Sequence, residues 1–177
     1  MFLTRLITIL LFSLVAVGCS GMQSSAGKSG DLVALQQVAE SFRTSIINKD
    51  KTTFMSLFFS DKPEEVTWQS VVDDPSLDAI KLTRPQAIKA RRRPDNNFVA
   101  FIDGVVASEG RAEEKFSDIR IDTDGEVASV SFDYVYISGQ KATNSGREKW
   151  LLVRTEQGWK ITSVVYTIRL PRPESAK

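Results

Sequence analysis

The apolar positions change their period once along the chain, from steps of three and four before Glu113 to steps of two after it. Leu32, Leu35, Val38, Ala39, Phe42 and Ile46 recur as one face of a helix, and Asp31 is placed to cap its N-terminus. Asn48-Lys49-Asp50 interrupts that pattern. Phe54, Met55, Leu57 and Phe58 then predict a second, shorter helix, capped by Asp50 or Thr52 and ended by Pro63 at the latest. Residues 61–94 carry little periodicity: Val66-Thr67-Trp68 fits a short strand, and Pro75, Pro85 and Pro94 read as loop punctuation. A third helix is predicted from about Asn96 to Ser108, where Phe98, Phe101, Ile102, Val105 and Val106 repeat helically despite Gly104.

Beyond Glu113, strands are predicted at 114–122, 126–137, 143–155 and 159–169, separated by Asp124-Gly125, Ser138-Gly139-Gln140 and Gln157-Gly158. Loops this short imply an antiparallel meander. A two-residue turn at Asp124-Gly125 sets Ile121 and Ile119 opposite Ala128 and Val130, and gives an inner face of Ile119, Ile121, Ala128, Val130, Phe132, Tyr134 and Tyr136. Slipping the pairing by one residue would bury Ser129, Ser131 and Asp133 instead. Between Gly146 and Thr155 both alternating sets contain apolar residues. A turn on Gln157-Gly158 puts Glu148, Trp150, Leu152 and Arg154 on the face of Trp159 and Ile161; a three-residue loop brings Arg147 and Lys149 inside. The first is preferred because it groups the two tryptophans. Helices followed by strands, with no crossover units, predict an α+β domain: a curved antiparallel sheet packed against about three N-terminal helices.

The N-terminus has a different character. Arg5 precedes a twelve-residue apolar run, Leu6 to Val17, which ends in Ala16-Val17-Gly18-Cys19. As a helix it would rise about 18 Å, short of the roughly 30 Å hydrocarbon core, so an export signal fits better than a permanent span. Cys19 is the chain's only cysteine and has no disulfide partner. The segment resembles a bacterial lipoprotein precursor, which implies a signal peptide at 1–18, lipidation of Cys19 and membrane attachment through that anchor. Ser20, standing where an inner-membrane retention signal would place Asp, implies an outer-membrane lipoprotein facing the periplasm. Residues 19–30, rich in Ser and Gly, are expected to form a flexible tether before a domain at 31–170 and a tail at 171–177.

Charge adds only exclusions. The full chain has 23 Lys and Arg against 22 Asp and Glu; removing residues 1–18 takes away Arg5 alone and leaves 22 of each. Such balance offers no long-range field for nucleic acid. The basic run Lys89, Arg91, Arg92, Arg93 has no interleaved aromatic residues, and reads as a solvated loop or a contact for anionic lipid head groups. With no histidine in the chain, a Ser-His-Asp triad, an imidazole base and the usual zinc sites are excluded, and no cofactor or metal site is expected. Carboxylates, Lys, Arg and Tyr remain as actors.

The order helix, Lys49-Asp50 turn, short helix ending Leu57-Phe58-Phe59, then Asp133-Tyr134, Gly146-Arg147-Glu148-Lys149-Trp150 and Gly158-Trp159-Lys160-Ile161 resembles the SnoaL-like, nuclear-transport-factor-like superfamily over residues 31–169. The resemblance implies a conical half-barrel enclosing a pocket, and no single activity. Trp68, Phe101, Phe132, Tyr134, Tyr136, Glu148, Trp150 and Trp159 are expected to line that pocket. Glu148 is the foremost candidate for ligand contact, because a carboxyl among aromatic rings needs a partner or a raised pKa. The reading is a non-catalytic module for a small apolar or aromatic ligand. Its alternatives are an isomerase or hydrolase using Glu148 or Asp103 with Tyr134, and a homodimeric scaffold meeting through the outer sheet face.

Overall fold

A computed structural model describes residues 23–172, with side chains from Ser29 onward. The proposed leader, Cys19 and the last five residues lie outside the described region. Helix α1 runs Gln23–Asn48 and buries Leu35, Ala39, Phe42 and Ile46 at the predicted spacing. It starts at Gln23 rather than after Asp31, so residues 23–30, expected as part of a flexible tether, are helical. Once a nucleus exists, each added residue brings its own hydrogen bond, and a Ser/Gly-rich stretch can extend a helix that it could not start. Asp31 is therefore not an N-cap. It lies inside α1, buried, where its carboxylate accepts a hydrogen bond from the Arg154 guanidinium at 3.0 Å.

The helix ends where Lys49 takes a left-handed conformation, φ 54°. The Lys49 amide bonds the Ile46 carbonyl and the Asp50 amide bonds that of Ser45, closing the last turn as a Schellman cap. Asp50 then caps α2 (Lys51–Ser56), accepting from the Thr53 amide at 3.0 Å. After strand β1 (Thr67–Val72) comes a helix the sequence reading missed, α3 (Asp74–Lys81), capped by Asp73 with Pro75 in its first turn. Helix α4 (Phe98–Ala107) is capped by Asn97 and buries Phe98, Ile102 and Val105.

Four strands follow: β2 (Ala112–Thr123), β3 (Val127–Ser138), β4 (Lys141–Thr155) and β5 (Gly158–Ile168). The sheet order is β1-β5-β4-β3-β2. Strands β2 to β5 form the expected antiparallel meander, but β1 joins β5 in parallel, so the five-stranded sheet is mixed and open. The helices cover one face, and α1 touches both β2 and β5.

Two bulges decide which side chains point at the helices. On β2, Ser117 pairs with Asp133 and Arg120 with Ser131, so Asp118 and Ile119 together face one residue. Asp118 has φ 54°, a conformation Asp tolerates better than most residues. Its carboxylate receives Arg147, 2.8 Å away, while Arg147 also binds Asp133, which pins the bulge from outside. The extra residue switches parity: Glu114 and Phe116 point inward before it, Ile121 and Thr123 after it. The first hairpin thus differs from its expected register. Its loop is longer than two residues, Ile121 sits opposite Val130, and Ile119 is exposed rather than inside. On β5, Leu151 pairs with Ser163 but Leu152 with Ile161; Thr162 is the extra residue, its hydroxyl donating to the Leu151 carbonyl. The last hairpin adopts the register that faces Glu148, Trp150, Leu152 and Arg154 with Trp159 and Ile161.

The space between sheet and helices is packed with rings. Phe42 lies 4.8 Å from both Phe54 and Trp150, and Phe132 meets Trp150 edge-on at 4.9 Å. Full burial of such side chains is worth about 1.5–3 kcal/mol each, with about 0.5–1.5 kcal/mol more per well-oriented pair.

Candidate functional site

Two regions of the concave face differ from an ordinary apolar core. The first is a pair of carboxyls sealed inside it. Glu148 lies on β4 between Phe132 of β3 and Tyr166 of β5. It is 2 % exposed, and one oxygen accepts a hydrogen bond from the Trp150 indole at 2.7 Å. Glu114 reaches the same interior from β2, opposite Tyr136, carried there by the parity upstream of the Asp118 bulge. Its Oε2 has no hydrogen-bond partner. Burial pushes Glu148 up to about 7, opposed by the indole bond. Burial also pushes Glu114 well above the ordinary carboxylate range, and the charge of Glu148 adds to it. The pair thus retains a proton near neutrality. The surrounding phenols are pushed up as well, Tyr134 by burial and by both carboxyls, Tyr136 by burial and Glu114, Tyr166 by burial and Glu148.

Tyr134 is held by a feature its sequence position does not advertise. Its neighbour across the ladder is Gly146, and its hydroxyl donates to the Thr167 carbonyl on β5 at 2.8 Å. A Cβ on Gly146 would stand 1.9 Å from that same carbonyl oxygen. Only glycine lets β5 come so close.

The second region is the end of the sheet where β1 and β5 finish. Ser70 and Val72 face Tyr166 and Ile168 across the parallel ladder. Beyond them a cavity of about 880 Å3 opens between β1, α3, the end of β5 and the segment 84–96. Val72, Leu77, Ile80, Ile168 and Leu170 form its apolar side. A second cavity, about 480 Å3, adjoins it and shares Arg93 and Asn96; Trp68 lines its inner wall with its indole N–H buried and unpartnered.

The eight residues expected around a pocket do share the concave side, but mostly as its filling. Trp68, Phe132, Tyr134, Glu148, Trp150 and Trp159 are buried, while Phe101 and Tyr136 are half-buried and pack on the cluster. Of these eight, only Trp68 reaches the walls of the two cavities. Trp159 stands opposite Arg154 near the β4–β5 turn, at the far end of β5 from the larger cavity. Asp103 is not brought to Tyr134: it is exposed on α4 and paired with Lys51. Asp103 faces solvent on α4, whereas Tyr134 is buried with its hydroxyl on the Thr167 carbonyl. Glu114, Tyr166 and the wall at 84–96 were missed. The switch from inward Phe116 to inward Ile121 was the available signal for the first, since one parity cannot bury both. Among the described residues, no cluster of acidic or sulfur side chains is placed to hold a metal.

No family model and no curated protein matches the chain in sequence. Solved structures do match in shape. A nuclear-transport-factor-like protein of unknown function from Shewanella baltica shares 19% identity over 81% of this chain and 97% of its own, with a TM-score of 0.57. One from Novosphingobium aromaticivorans, described as having a cystatin-like fold, shares 10% identity over 85% and 92%, at 0.58. A nuclear-transport-factor-like superfamily protein from Salmonella enterica serovar Typhimurium shares 15% identity over 85% and 99%, at 0.56. The chain has the nuclear-transport-factor-like, cystatin-like α+β fold. At these identities the likeness is one of architecture, and chemistry has to be argued from this chain's own residues.

Proposed function

We propose that this protein is a lipid-anchored accessory module of the outer membrane, facing the periplasm, whose domain binds a small molecule without transforming it. The observation that carries this reading is the cavity of about 880 Å3 at the end of the concave face. It falls within the range of about 300–1,000 Å3 that small-molecule sites occupy. The deeper cone, where the resemblance put the pocket, is occupied by the protein's own rings, and the ligand site moves outward accordingly. The anchor rests on the leader pattern ending at Cys19. Two or more acyl chains would hold the domain stably.

Thermal-shift screening of the full chain against a metabolite library tests the binding half; no shift with any compound would refute it. Cys19→Ser tests the anchor: the variant should lose radiolabelled palmitate and leave the membrane fraction, and retention of label there would refute lipidation at this residue.

A second reading is supported by one observation, the Glu148 carboxyl whose titration burial moves to about 7. General acid–base chemistry favours such a value. Glu148→Gln would then abolish turnover while leaving the fold intact. Neither Glu148 nor Glu114 lines the two cavities, which is why the binding reading stands first.

A further inference from the structure

The basic run singled out in the sequence lies on the wall of the larger cavity. Arg84, Lys89, Arg91 and Arg93 line it, against a single acid, Asp95. Lys89 is occupied by Asp74 at 2.6 Å, and Arg93 by Asp95. Arg84 and Arg91 have no acidic partner among the described residues. On the same stretch of chain Leu82 and Ile88 are largely exposed, and Ile88 lines the cavity itself. The site therefore combines an apolar floor left open to water with two exposed guanidiniums that form no ion pair, although Arg91 stands near enough to Asp95 for its charge to help hold that carboxyl below the ordinary range. The floor favours a saturated chain, at about 25 cal/mol per Å2 covered. The guanidiniums favour a planar or tetrahedral oxyanion, which their paired N–H groups can grip.

We propose that this cavity takes one amphipathic anion, an unbranched hydrocarbon chain ending in a carboxylate, with the chain on Val72, Leu77, Ile80 and Ile168 and the head at Arg84 and Arg91. The proposal rests on the small-molecule-binding reading above and names the ligand class. A single molecule fits better than a bilayer surface, because the apolar residues form a concave floor walled by α3 and the 84–96 segment, which a planar membrane cannot enter. A cationic amphiphile would meet like charge, and a neutral one would leave both exposed guanidiniums to water and gain nothing from them.

The experiment is isothermal titration calorimetry on the full chain carrying Cys19→Ser, with dodecanoate and with dodecyltrimethylammonium, each kept below its micelle-forming concentration. Dodecanoate should bind one per chain and the cation should not. The double variant Arg84→Ala, Arg91→Ala, altered only at exposed positions, should weaken dodecanoate binding about tenfold or more, the loss expected for a charge-assisted hydrogen bond. Equal binding of both amphiphiles, unaffected by the double variant, overturns the anionic class while leaving the binding reading intact. Binding of neither, with hits in the metabolite screen, overturns this ligand class alone; silence in both removes the underlying reading too. Flotation with phosphatidylglycerol vesicles, without any response to free dodecanoate, overturns the single-molecule site in favour of surface adsorption.

Discussion

Replacing Glu148 by Gln should make the protein more stable in mild alkali and leave it little changed in mild acid. An ordinary carboxyl titrates at 4.5, and burial moves this one to about 7. The native state therefore binds the proton more tightly than the unfolded chain does. That contribution is fully present below about 4.5, and is lost as pH rises through about 7. Deprotonation of Glu148 alone costs about 3 kcal/mol across that window, taken as the product of the displacement and about 1.36 kcal/mol per pH unit. The amide of Gln keeps an oxygen for the Trp150 indole and carries no charge. Its NH2 group gains no assured partner, at about 1–2 kcal/mol. Urea unfolding of wild type and variant at about pH 5 and about pH 8 gives the two differences. The variant should be level or slightly weaker at the lower pH, and stronger by about 1–3 kcal/mol at the higher. Equal differences at both would refute the claim that Glu148 titrates between the folded and unfolded states. Glu114→Gln should show the same sign, since burial and Glu148 push that carboxyl up as well.

Two further outcomes follow from the packing. Gly146→Ala should destabilise by about 1–3 kcal/mol or more, because the new Cβ drives into the Thr167 carbonyl that anchors Tyr134; a thermal melt within error of wild type would contradict that contact. Asp31→Ala should cost about 1 kcal/mol, the modest value of an ion pair whose arginine stands half in water, and the loss should shrink in high salt.

The sequence was legible where one period governed an element. The α1 face from Leu35 to Ile46, the α4 face and the four strands of the meander are legible from spacing, because side-chain direction there follows from position; Val66-Thr67-Trp68 marks the start of β1, and of the two cap candidates for α2, Asp50 and Thr52, the structure uses Asp50. What escaped has identifiable causes. Pro75 reads as a loop marker, although proline is also at home in a first helical turn, and Asp73, two residues before it, is the cap that decides the matter. Glu114 was missed because a single parity was carried across Asp118, where an added residue reverses it; the same reversal at Thr162 brings Tyr166 inside. Glu148 is legible because only the register that groups Trp150 with Trp159 turns it inward, and that is the register β4 adopts. The cavity was invisible for another reason. Its wall at 84–96 is irregular chain, and the position of such chain depends on tertiary contacts such as the Val71–Ala90 bridge rather than on any repeat.

The clasp between Asp31 and Arg154 ties the start of the domain to one end of its sheet. It fastens α1 beside the loops at Gly125 and Gly158, only twelve residues downstream of Cys19. The other extremity of β5, ten residues on at Ile168, lies about 33 Å away. On the anchoring we propose at Cys19, the point of attachment and the opening would therefore belong to opposite ends of the sheet, leaving the opening free to meet its ligand from solution.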